Sequence, residues 1–112
     1  MKPPEPLSDI PDPAGLIDYS PGAVVSRTLI KGRSGSATLF SFDKGEGLDE
    51  HSAPFDALIQ VLEGEAEITL SGKPHRVKAG QMLLMPAGAP HAVKAVERFK
   101  MLLFLVRTSP TH

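Results

Sequence analysis

From position 24 to position 106 the chain is punctuated by glycine- and proline-centred turns every ~8–12 residues, and only short extended runs fit between them. The clearest run, Glu65-Ala66-Glu67-Ile68-Thr69-Leu70, alternates strictly, with Ala66, Ile68 and Leu70 on one face and Glu65, Glu67 and Thr69 on the other. That period of two marks a half-buried strand. Further runs fall at residues 24–30, 36–43, 57–63, 74–78, 81–85, 91–96 and 101–106, and a strand-like segment begins at His51 and is broken by Pro54. Residues 44–50 read as an acidic, glycine-rich loop, and Ser71-Gly72-Lys73 as a hairpin turn. No stretch carries the 3.6-residue periodicity of an amphipathic helix. The chain is expected to be all-β, about nine strands in a sandwich or barrel.

The first 22 residues have a different texture, with prolines at 3, 4, 6, 11, 13 and 21. Each fixes φ and removes a hydrogen-bond donor, so this stretch cannot be a central strand. We expect a proline-rich arm over 1–22 and a barrel domain over 23–108. Leu7, Ile10, Leu16, Ile17 and Tyr19 make parts of the arm apolar enough to lie against the barrel or a neighbour. Residues 14–17 suit one helical turn, and roughly the first eight residues suit either packing or a loose tail. The runs at 81–85 and 101–106 are apolar throughout, as in strands covered on both faces. A thin barrel covers only one face, so the arm or a second copy must cover the other.

Composition excludes several functions. Twelve Lys and Arg against 13 Asp and Glu, with no concentrated basic run, argue against nucleic-acid binding. Without cysteine there is no disulfide, zinc thiolate or thiol nucleophile. The N-terminus lacks the apolar core of a signal peptide, and the run at 101–106 is too short to cross a bilayer. No membrane association and a cytoplasmic location are expected. Gly32-Arg33-Ser34-Gly35 does not meet the G-x-S-x-G pattern of a nucleophile elbow, and no glycine loop for phosphate precedes a helix.

The chemistry concentrates between Gly45 and His91. Gly45 and His51 form a G-x5-H segment, followed by Val61-Leu62-Glu63-Gly64, while Gly80, Pro86, Gly88 and His91 form G-x5-P-x-G-x2-H. These two segments resemble the paired motifs of the cupin superfamily, and the likeness covers roughly residues 24–106. It implies a jelly-roll β-barrel and, by the habit of that superfamily, a homodimer packed sheet to sheet. In metal-binding cupins the motifs supply two His, a Glu and a third His to one divalent ion. Carried across, the resemblance puts His51 and His91 at ligand positions and Ala53 and Ala57 at the other two, with Ala95 where an Asn often stands. The candidate metal ligands are therefore His51 and His91, for a divalent transition ion such as Zn, Mn, Fe, Ni or Cu.

Two imidazoles alone hold such an ion weakly, since catalytic sites use three protein ligands. Asp56 would complete a set of two His and one carboxylate, although strand alternation turns it from Ala57's face. His75 shares a face with Val77 and is the other candidate. Gln60 faces away. The alanines point instead to an emptier cavity lined by His51, Ala53, Ala57 and His91. Its first reading is a barrel that holds a small-molecule metabolite with little or no metal-dependent catalysis. The alternative is a metal-dependent enzyme of dioxygenase or isomerase type using His51, His91 and a non-standard third ligand. Proton shuttling by either His and a purely structural module complete the set. The bland reading of His51 is a hydrogen bond to backbone at the barrel mouth. Glu46, Asp49, Glu50 and Asp56 read as a solvated acidic rim.

Overall fold

The structure, a computed structural model, describes Leu7 and residues 10–107. Pro3, Pro4 and Pro6, and with them the expectation for the first part of the arm, lie outside the described residues.

The expected all-β jelly roll is the architecture observed. Among the described residues nine strands follow in order: β1 (Val24–Lys31), β2 (Gly35–Phe42), β3 (Gly47–His51), β4 (Phe55–Glu63), β5 (Glu65–Leu70), β6 (Lys73–Lys78), β7 (Met82–Met85), β8 (His91–Ala95) and β9 (Phe99–Arg107). They form a five-stranded sheet in the order β1-β2-β9-β4-β7 and a four-stranded sheet in the order β3-β8-β5-β6. Every pairing is antiparallel. The acidic stretch taken as a loop over 44–50 is partly a strand, because β3 pairs Gly47 with Lys94 and Leu48 with Val93. His51 therefore ends a strand, and the next begins at Phe55.

The two sheets enclose one core. Phe42 and Phe99, both fully buried, stack with centroids 4.4 Å apart and fill the end of the barrel far from the histidines. Burying each ring contributes about 1.5–3 kcal/mol, and the stack about 1 kcal/mol more. Ala66 and Ile68 point inward as the alternation requires, and both are buried. The β5–β6 hairpin turns on Ser71 (φ 49°) and Gly72 (φ 83°), the two positive φ values of a type I′ turn.

The described part of the arm crosses the outer face of the large sheet. A 3-10 turn, Pro13–Leu16, packs on β4 and β9, and Ile17 behind it is buried. Ser41 Oγ donates to the Asp18 carbonyl at 2.8 Å, and Lys100 Nζ to the Ala14 carbonyl at 2.7 Å. The Tyr19 hydroxyl donates to Glu63 at 2.6 Å beneath the Arg98 guanidinium, 3.8 Å from the ring centroid. Burial, then this bond to Glu63, hold the Tyr19 phenol well above its ordinary pKa.

Beyond the arm, the same face is bare. Ile30, Met82, Leu84 and Val106 are each more than half exposed there. Of the outer faces of residues 81–85 and 101–106, the described arm covers only part, at β9, and Met82, Leu84 and Val106 stay exposed. Among the described residues no helix is long and apolar enough to cross a membrane.

Candidate functional site

β3 and β8 bring His51 and His91 into direct register at the open end of the barrel. Their rings meet at 64° with centroids 4.3 Å apart, and the two Nε2 atoms are 3.1 Å apart. Each ring is anchored by its other nitrogen to the carbonyl two residues upstream: His51 Nδ1 to Asp49 at 3.0 Å, and His91 Nδ1 to Ala89 at 3.1 Å. A carbonyl oxygen only accepts, so both Nδ1 atoms carry hydrogen and donate. The two Nε2 atoms are left as acceptors with their lone pairs converging. Such a pair is repulsive until a proton, a cation or a donor group lies between them.

Below the pair, between the sheets, lies a cavity of about 100 Å³. His51, Ala53, Ala57 and His91 all line it, together with Phe55 and Leu105 among other apolar side chains. The fill of the barrel explains where this space falls. The Phe42–Phe99 stack occupies the closed end, whereas methyl groups at 53 and 57 leave the mouth end hollow. Ala95 is buried opposite Ala66 near the closed end and takes no part. Gln60 faces outward opposite Met82. A larger hollow of about 390 Å³ lies on the outer surface of the small sheet, where Asp49, Glu50, Glu67 and Lys94 border it. It is an open groove separated from the imidazoles by the sheet.

Neither candidate third ligand joins the pair. Asp56 pairs with the outward Val106, and its carboxylate accepts the Ala87 amide hydrogen at 2.8 Å. It is thus tied to the turn before His91 rather than forming part of a loose rim. His75 is exposed on the edge strand β6. Among the described residues no three His, Cys, Asp or Glu side chains could hold an ion together. The 3.1 Å spacing matches two adjacent ligands on one ion at ~2.0–2.1 Å. The donor set stops at two nitrogens, however, with methyl groups at 53 and 57. These residues do not fit a resident catalytic ion, which uses three protein ligands.

Arg107 was not singled out by sequence reasoning. Alternation along β9 gives the signal, since Met101, Leu103 and Leu105 line the cavity and position 107 continues their row. Its guanidinium carbon lies 5.5 Å from the centroid of the Phe55 ring, itself part of the cavity wall.

Comparison with known proteins places these features. The family model described as "Cupin domain" matches residues 38–106. A conserved protein of unknown function from Streptococcus pyogenes is 38% identical with a TM-score of 0.90, covering 97% of each chain. A cupin superfamily protein from Desulfitobacterium hafniense is 31% identical with a TM-score of 0.87, covering 92% of this chain and 94% of that one. A cupin 2 conserved barrel domain protein from Leptotrichia buccalis is 46% identical with a TM-score of 0.82, covering 84% of this chain and 46% of that one. This chain spans about half the length of the Leptotrichia protein. No curated protein matches the sequence.

Proposed function

The chain belongs to the cupin superfamily, and from that footing we propose that it is a small-molecule-binding barrel with little or no metal-dependent catalysis. One observation carries this reading: an apolar cavity closed by two imidazoles whose Nδ1 atoms are spent on backbone carbonyls. The ligand would place an apolar body among Ala53, Phe55, Ala57 and Leu105. Its polar head would supply the proton or donor that the two Nε2 atoms lack. The cavity is far below the ~300–1,000 Å³ of drug-sized sites, so the buried body is short.

The Nε2 spacing favours one second reading, a metal-dependent enzyme of dioxygenase or isomerase type. In it, an ion on His51 and His91 would need a further donor that neither Asp56 nor His75 provides in this arrangement. One experiment separates the two. Protein produced with Zn, Mn, Fe, Ni and Cu supplied is dialysed and its metal content measured, beside a His51→Ala/His91→Ala variant. Both proteins are also titrated with 3-methylbutan-1-ol while the Ala53 and Ala57 methyl signals are followed by NMR. The binding reading expects little metal in either protein and saturable shifts that weaken at least fivefold in the variant. Stoichiometric metal that vanishes in the variant selects the enzyme reading. Shifts absent, or identical in both proteins, overturn the binding role of the pair.

A further inference from the structure

Arg107 lies behind the cavity wall, its guanidinium carbon 5.5 Å from the centroid of the Phe55 ring that lines the cavity. We infer that the cavity's ligand is a short-chain carboxylate and that Arg107 is the residue that reads its charge, an inference that rests on the binding reading above. Arg107 pairs with Phe55 one step outward from the Leu105–Ala57 pair, which lines the cavity. The turn between β1 and β2 holds its root. The Arg107 amide donates to the Ser34 carbonyl at 2.8 Å, and Nε to the Arg33 carbonyl at 3.0 Å. These bonds use the backbone amide and Nε, and leave the two terminal nitrogens, the fork that matches a carboxylate, without a hydrogen-bond partner among the described residues.

The surrounding charges point the same way. Arg76 is paired with Glu65 and Glu67, Lys44 with Glu97, and Lys100 with Glu63. Among the described residues no carboxylate lies within ion-pair distance of Arg107. Acidic side chains near the mouth are directed elsewhere: Asp49 and Glu50 border the outer groove, and Asp56 is held by the Ala87 amide. A cation beside a low-dielectric wall draws anions strongly.

Proton placement fits a carboxyl head. A proton taken from solvent between the two Nε2 atoms removes the clash of lone pairs, and the carboxylate keeps its negative charge to face that imidazolium and Arg107. Size narrows the class further. A cavity of about 100 Å³ is far below a drug-sized site, so the apolar body it takes is short. Short-chain acids fit, and cationic amines of the same shape are repelled.

The test uses three isosteric probes, 3-methylbutanoate, 3-methylbutan-1-ol and 3-methylbutylamine, titrated into the full chain with the Ala53 and Ala57 methyl signals observed. The acid is expected to bind at least tenfold more tightly than the alcohol, and the amine not to bind. Arg107→Gln should collapse that preference, while Arg107→Lys, which keeps the charge, should retain most of it and so exclude a folding defect. Alcohol binding as tight as the acid's, or a preference that survives Arg107→Gln, overturns the inference and leaves the binding reading standing. If none of the three probes reaches the cavity, both fall.

Discussion

At the scale of single residues, the site is defined as much by two methyl groups as by two imidazoles. The double substitution Ala53→His/Ala57→Glu puts polar groups back into a space where Ala57 is almost fully buried. We expect the metal-free variant to lose about 2–4 kcal/mol through unpaired burial and to regain it when zinc is added. Unfolding temperatures measured with zinc and with a chelator check this, and a zinc-independent value would sink it. Tyr19 gives a pH-dependent counterpart. Its phenol holds its proton more tightly in the folded chain, so the stability it adds is complete below the ordinary tyrosine pKa. That contribution fades as pH rises above about 10. Tyr19→Phe should cost about 1 kcal/mol near neutral pH and flatten the loss of stability above about pH 10, read from denaturant midpoints. The motif spacing pointed to His51 and His91, and alternation separated Asp56 from Ala57. The carbonyl anchors at Asp49 and Ala89 could not be read, because they depend on the bulge in β3 and on the turn before β8. Arg107 was readable as an inward position, but nothing in the sequence placed Phe55 beside it.

At the scale of elements, two turns set the register that delivers these side chains. Gly64, between β4 and β5, has φ 79°, and a Cβ there would run into the Arg98 carbonyl and Phe99. Gly64→Ala should therefore cost about 3 kcal/mol, seen as a lowered denaturant midpoint at unchanged slope. The β5–β6 turn is suboptimal in the other direction, since Ser71 occupies a left-handed position that asparagine tolerates better. Ser71→Asn should add about 0.5 kcal/mol, and an unchanged midpoint would count against the I′ assignment. Most strands were legible because glycine turns and period-two alternation act locally. β3 was not, since acidic residues and a bulge between Leu48 and His51 hide its pairing with β8. The continuous apolar runs misled for a related reason. Met82 and Leu84 are apolar yet exposed on the outer face of the sheet, and a local pattern cannot distinguish that from burial.

At the scale of the whole molecule, that bare face is the argument for a homodimer. Ile30, Met82, Leu84 and Val106 sit on the outside of one sheet, an apolar surface that we propose packs against the same surface of a second copy. Leu84→Glu should shift the protein from dimer to monomer in light scattering coupled to size exclusion. A monomeric wild type would refute the dimer. Topology also governs how the molecule comes to exist. β9, the last of the nine strands to be synthesised, is the central strand of the large sheet, bonded to β2 on one side and β4 on the other. Until residues 99–107 have left the ribosome, β2 and β4 have no partner to join them, and Phe42 has nothing to stack on. Nascent chains must therefore wait as open hairpins, with their edges exposed to aggregation and to chaperones, and close the barrel in one late step once residues 99–107 are free to pair.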